Sequence, residues 1–196
     1  MNFSAVILAG GQSSRMGRDK AWLELHGQTL LARQIQLMRA IGAREIIISG
    51  RAAGDYAQFG CPVVRDEWPG AGPLGGLAAA LEAALAPLLL VLAVDMPHMT
   101  EDCLRRLFGE CTETTGAIPR VNGQVEPLAA FYPKTARDLL PEISAANPPA
   151  SPGVLGARPF AGRCVASGRA VWVDMAPAFA GCFANWNSPA DLCLPA

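Results

Sequence analysis

The chain has 196 residues, 51% of them hydrophobic, which is enough apolar surface to bury one substantial core. Its 16 basic and 17 acidic residues leave a formal charge of -1, so there is no global basic field to attract nucleic acid or an anionic membrane, and any anion site must be local. Six cysteines form neither a C-x-x-C pair nor a cysteine–histidine cluster spaced for zinc, and read as small buried hydrophobes. The start, Met1 to Leu8, lacks a basic region and runs into Gly10-Gly11 too soon for a signal-peptide core. The longest apolar run, Ala83 to Val94, is broken by Pro87 and is too short to span a bilayer. A soluble, cytoplasmic protein is expected.

Taken in chain order, short aliphatic runs at Ala5–Leu8, Glu45–Ser49, Pro62–Val64 and Leu88–Val94 read as strands. Helical patterns fill the gaps at Thr29–Ile41, Leu74–Leu85, Glu101–Cys111 and Lys134–Ser144, with Gly42, Pro87 and Pro133 at their borders and Thr100 placed to cap the third. Alternation of this kind predicts an α/β fold, mostly parallel in its central sheet and flanked by helices. Ala117–Val121 and Leu128–Tyr132 read as strands around an Asn122-Gly123 turn, and Ala170–Val173 as another. The stretch 147–153, Asn-Pro-Pro-Ala-Ser-Pro-Gly, has the composition of an exposed loop.

The strand at Ala5–Leu8 ends in Ala9-Gly10-Gly11-Gln12-Ser13-Ser14-Arg15-Met16-Gly17-Arg18-Asp19-Lys20. Glycines let backbone N–H groups approach phosphate oxygens closely, and inward-pointing N–H groups form an anion nest. Arg15 can fork onto the β and γ phosphates of a triphosphate, and Lys20 can place a point charge at the α-phosphate. A structural turn carrying two solvated cations accounts equally for a Gly-Gly loop. Neither the P-loop pattern nor a dinucleotide fingerprint fits, since Ala21 follows Lys20. Gly70-Ala71-Gly72-Pro73-Leu74-Gly75 spells G-x-G-x-x-G, but it follows no strand and Pro73 has no N–H to offer.

Leu8 to Ala21 resembles the signature of the molybdenum cofactor guanylyltransferases, and Asp66, Gly72-Pro73-Leu74-Gly75-Gly76, Asp95-Met96-Pro97 and Asn185-Trp186-Asn187-Ser188-Pro189 follow in that family's order. The resemblance implies a Rossmann-like nucleotidyltransferase fold spanning 1–196 as one domain, with 1–115 as the nucleotide-binding half and 116–196 as the acceptor half. It implies GTP and Mg²⁺, with GMP transferred to the phosphate of molybdenum-bound molybdopterin and pyrophosphate released. It also implies molybdoenzymes or their chaperones as downstream partners, and neither nucleic acid nor membrane. Leu8, Ala9, Gly10, Gly11, Ser49 and Asp66 would contact the nucleotide, with Asp66 reading guanine. Ser49 stands where the family usually has an asparagine after the second strand. Glu126-Pro127-Leu128 would border the pterin pocket.

Asp95 ends the apolar run Leu88–Val94. A charge abutting such a run is costly unless paired or metal-bound, and ligands collect at the carboxyl ends of strands in open α/β sheets. Asp95 is therefore the expected Mg²⁺ ligand, and with Arg15 and Lys20 it makes up the expected catalytic set. Asn185 and Asn187 are further candidates for the metal or phosphate environment, while Ser188 and Asp191 read as helix-capping residues. Arg158, Arg163 and Arg169 are either acceptor-phosphate contacts or solvated arginines. A cytidylyltransferase or sugar-phosphate nucleotidyltransferase of the same fold is the nearest alternative, and a non-catalytic nucleotide-binding accessory protein is the alternative of a different class. Gly10-Gly11 and Asp19-Lys20-Ala21 favour guanine.

Overall fold

The structure, a computed structural model, describes residues 1–10, 19–50, 56–65, 72–141 and 156–186. Two strands buried on both sides form its centre, β1 (Phe3–Leu8) and β6 (Leu88–Ala93). They pair in parallel from Phe3↔Leu88 to Leu8↔Ala93. Successive residues of β6 enter opposite layers: Leu88, Leu90 and Leu92 join one core, Leu89 and Val91 the other. That is why the run is continuously apolar rather than alternating.

The remaining strands extend the sheet both ways, giving the order β10-β7-β9-β6-β1-β4-β5. On the β1 side, β4 (Ile46–Ser49) and β5 (Val63–Val64) are parallel. On the other, β9 (Ala129–Pro133) runs antiparallel to β6 and to β7 (Gly116–Val121), and β10 (Ala170–Asp174) runs parallel to β7. The short β8 (Gln124–Val125) folds back on β7 through Asn122 and Gly123, both at positive φ as a two-residue hairpin turn requires. The sheet is thus mostly parallel, as the alternating pattern predicts.

Helices cover both faces. α1 (Leu30–Ala40) and α3 (Glu101–Phe108) pack on one core through Leu30, Leu31, Ile35 and Met38 and through Cys103, Leu104 and Leu107. α2 (Pro73–Ala83) and α4 (Ala157–Ala166) pack on the other through Leu74, Leu77 and Leu81 and through Phe160, Ala161 and Cys164. Thr100 caps α3, its hydroxyl accepting from Cys103 N–H at 3.3 Å.

Four features differ from the sequence reading. Directly across the Asn122-Gly123 turn from β7 stands β8, ahead of the expected strand at Leu128–Tyr132. The segment expected as a helix from Lys134 is a 3₁₀ segment over Lys134–Leu139, and residues 142–155, including the 147–153 stretch, lie outside the described ones. α4 was not expected at all, because Pro159 falls inside it; Pro is tolerated there since its absent N–H belongs to the helix's unpaired first turn. A small hairpin, β2 (Glu24–Leu25) and β3 (Gln28–Thr29), turns through His26 and Gly27 at positive φ. Among the described residues no helix is long and apolar enough to cross a membrane.

Candidate active site

β1 sends its connection through α1 to β4 on one side, while β6 sends its own through α3 towards β7 on the other. Neighbouring strands whose connections part in this way leave a crevice at their carboxyl ends, where ligands settle in doubly wound sheets. The candidate residues converge there. The carbonyl of Leu8 accepts from Val94 N–H at 3.2 Å, and Ala9 N–H donates to the Ser49 carbonyl at 2.8 Å. Gly10 lies beside the backbone of Gly50. Ser49 is buried, and its hydroxyl packs against Gly76 in the first turns of α2. The ends of β1, β4 and β6 and the start of α2 therefore form one continuous rim.

Lys20 opens a 3₁₀ segment, Lys20–Trp22, capped by the Asp19 carboxylate, which accepts from Ala21 N–H at 3.0 Å. Its ammonium reaches 75 residues along the chain to donate to Asp95 Oδ2 at 2.7 Å, with both side chains less than one-fifth exposed. Each charge is largely removed from water, and each offsets the other's desolvation. Behind Lys20, the Trp22 ring stacks on Tyr56 at 6.1 Å and 12° and on Phe59 at 5.9 Å and 27°. Tyr56 in turn fills the space left open by Gly50. This aromatic stack joins the Lys20 segment to the exit of β4.

On the far side of Asp95 lies a cavity of about 410 Å³ lined by Asp95, Met96, Glu126–Leu128, Gly156–Pro159 and Asn185. β9 is antiparallel to β6, so its entry at Glu126–Leu128 reaches the same end of the sheet, and Ala93 N–H donates to the Leu128 carbonyl at 2.8 Å. Burial pushes the Glu126 carboxyl above its ordinary range, partly countered by the Arg158 guanidinium. Asn185 is exposed at the rim, and the next residue, Trp186, donates its N–H to the Asp95 carbonyl at 2.9 Å.

Of the residues expected to act, Lys20 and Asp95 are in contact, Leu8, Ala9, Gly10 and Ser49 line the strand ends, and Asn185 borders the cavity. Gly11, Arg15, Asp66 and Asn187 lie outside the described residues. Of the three arginines, Arg158 lines the cavity, whereas Arg169 precedes β10 at the opposite end of the sheet, 3.8 Å from Asp138. Arg163 lies in the last turn of α4, which leads towards that opposite end. Trp22 and Tyr56 carried no sequence signal, because an aromatic stack between two loops has no periodicity.

Whether Mg²⁺ suits the site can be judged from the donors present. Asp95 and Glu126 offer carboxylate oxygens and Asn185 an amide oxygen, all hard ligands, around one cavity. Among the described residues no group of three or more His, Cys, Asp or Glu side chains converges, so a cation bound beside Asp95 would need ligands beyond these side chains. Mg²⁺ tolerates this, since it usually keeps several waters and takes only one or two carboxylates.

Comparison with known proteins identifies the family and the fold. The family model for the MobA-like NTP transferase domain matches residues 5–160. A protein of Opitutus terrae described as a probable molybdenum cofactor guanylyltransferase is 44% identical over 136 residues, covering 68% of this chain and 67% of that protein. The molybdopterin-guanine dinucleotide biosynthesis protein A of Archaeoglobus fulgidus superposes with a TM-score of 0.74 at 22% identity, over 96% of this chain and 94% of its own. The 2-C-methyl-D-erythritol 4-phosphate cytidylyltransferase of Thermus thermophilus gives 0.70 at 20% identity, over 98% and 96%. Both structures share the fold. The strand order, the crevice between β1 and β6 and the match over residues 5–160 together show that the chain belongs to the MobA-like NTP transferase family.

Proposed function

We propose that the protein transfers GMP from GTP to the phosphate of molybdenum-bound molybdopterin, forming a guanine dinucleotide cofactor and releasing pyrophosphate. The observation that carries this reading is the contact of Lys20 with Asp95 at the crevice between β1 and β6 in a chain of this family. The description of the Opitutus terrae relative, 44% identical, as a probable molybdenum cofactor guanylyltransferase supports the choice of guanine and of the acceptor.

In this reading, residues 1–115 hold the nucleotide and 116–196 the acceptor. The backbone at Leu8, Ala9 and Gly10 holds the base or ribose, the glycine-rich loop from Gly11 cradles the triphosphate, Arg15 holds its β and γ phosphates, and Ser49 lies at the nucleoside. Asp66 accepts hydrogen bonds from the N1–H and N2–H₂ donors that guanine has and adenine and cytosine do not present together. Asp95 would hold Mg²⁺, with Asn185 and Asn187 completing the polar surroundings. Mg²⁺ supplies charge neutralisation at the phosphates. Lys20, held beside Asp95 at the mouth of the crevice, is placed to meet the α-phosphate, where negative charge grows during attack. The acceptor phosphate is already an anion at neutral pH, so its oxygen attacks the α-phosphorus in line without a general base. The cavity between Glu126–Leu128 and Arg158 is the acceptor side, with the Arg158 guanidinium suited to a phosphate. Molybdoenzymes or their chaperones receive the product.

A thermal-shift panel with GTP, CTP, ATP and UTP, with and without Mg²⁺, tests the reading. A ligand at a hundred times its Kd adds about 2.7 kcal/mol of stability. A GTP-selective shift that grows with Mg²⁺ is expected. A CTP-selective shift would move the assignment to cytidylyl transfer, and no shift with any triphosphate would overturn nucleotidyl transfer itself.

A further inference from the structure

Besides the buried Met96 and Met99 side chains, successive backbone carbonyls hold the segment that presents Asp95. The Asp95 carbonyl accepts from Trp186 N–H, as above; the Met96 carbonyl accepts from Gln34 Nε2 at 2.7 Å and from Met99 N–H at 3.3 Å; the Pro97 carbonyl accepts from Arg33 Nη2 at 3.2 Å. Two of these donors are adjacent side chains of α1. Gln34 is only 2% exposed and stands in a stripe otherwise made of Leu30, Leu31, Ile35 and Met38. A leucine or methionine there would pack without the desolvation that an amide incurs on burial. The amide therefore costs stability unless its hydrogen bond to Met96 serves the loop.

α1 also holds the other half of the ion pair. Leu30 N–H at its start donates to the Leu23 carbonyl at 2.8 Å, immediately after the segment that carries Lys20. One helix is thus bonded to the backbone on both sides of the Lys20–Asp95 contact.

The geometry points to Gln34 as a positioning residue: through the Met96 carbonyl, and assisted by Arg33 on Pro97, it holds Asp95 in register with Lys20 and with a cation bound between Asp95 and a triphosphate. The inference rests on the function proposed above. Gln34 touches neither substrate nor metal in this account; it acts through the loop. Misplacement of a reacting group by about 1 Å costs up to about a hundredfold in rate, and loss of one of these four hydrogen bonds on the loop should approach that scale without altering the triphosphate cradle.

The test is Gln34→Met, which keeps the length of the side chain and removes its donor. Turnover of GTP with the molybdopterin acceptor should fall roughly 10- to 100-fold in kcat, with KM for GTP within about twofold of wild type. Affinity for Mn²⁺ in the presence of a non-hydrolysable GTP analogue, followed by electron paramagnetic resonance, should weaken about tenfold even though no turnover occurs. Added to Asp95→Asn, Gln34→Met should cost nothing further, since both act through one carboxylate. Should Gln34→Met fail to fold cooperatively, Arg33→Met, on the partly exposed side of α1, carries the test with a smaller change in the same direction. Wild-type kcat and Mn²⁺ affinity in the folded variant, with Asp95→Asn inactive, would overturn the role of Gln34 and leave the proposed function standing. Full activity of Asp95→Asn would overturn the proposed site, and the positioning role with it.

Discussion

Replacing Gly50 with alanine should damage both stability and the site, because Gly50 is where the Tyr56 ring meets the end of β4. A methyl carbon at Gly50 would stand 2.7 Å from Tyr56 Cζ and 3.0 Å from Cδ2, and closer still to Cε2. Comfortable carbon–carbon contact is about 3.5–4.0 Å, so the ring must move by roughly 1 Å. It cannot swing into solvent cheaply: Tyr56 is 2% exposed and stacked on Trp22. Gly50 itself has no positive φ, so the backbone accepts alanine and the whole cost is steric. Overpacking of this kind costs about 1–3 kcal/mol, and the rigid, sandwiched ring argues for ~2–3 kcal/mol. At about 2–4 °C per kcal/mol for a chain of this size, Tm should fall by roughly 4–12 °C in calorimetry. Trp22 ends the segment that Lys20 begins, so GTP binding should weaken as well. Tyr56→Leu in the Gly50→Ala background should recover part of the stability, through coupling of the two sites. An unchanged or raised Tm for Gly50→Ala would refute this account of the packing behind Lys20.

Three further outcomes follow from the same structure. Asp95→Asn keeps an oxygen for Lys20 but loses the charge, so the transfer rate should drop by about 10²-fold or more while cooperative unfolding survives; single-turnover kinetics beside a melt separates the two. Glu126 has its carboxyl pushed up by burial, so just above the ordinary carboxylate range the folded state binds more protons than the unfolded one. Its contribution is therefore full below that range and is lost as pH rises through the raised folded value; Glu126→Gln should flatten this part of the Tm–pH curve and melt higher than wild type at neutral pH, as parallel melts would show. Thr100→Ala removes the N-cap of α3 and should cost about 0.5–2 kcal/mol, measurable by urea titration with an unchanged slope.

Much of the architecture is written in local patterns. Leu88–Val94 is apolar at every position because β6 is covered on both faces, and Asn122-Gly123 makes a two-residue hairpin turn because both residues accept positive φ. Asp95 stands out by chemistry, a lone carboxylate at the end of such a strand. What was not legible depends on distance along the chain. Nothing local to Lys20 shows that its partner lies 75 residues away. Gln34 reads only as a break in a helical stripe until the fold brings the Met96 carbonyl to it. α4 stayed hidden because Pro159 and the proline-rich 147–153 stretch argue against a helix, yet its first turn tolerates Pro and carries Arg158 to the cavity.

Guanylyl transfer is best followed through phosphorus. The protein is incubated with molybdenum-bound molybdopterin, Mg²⁺ and GTP labelled at either the α or the γ phosphate, with α-labelled CTP in parallel. The α label of GTP should enter the pterin product, with one pyrophosphate released per product, and the γ label should leave with pyrophosphate. Absence of α label in the product, or preferential incorporation from CTP, would contradict guanylyl transfer.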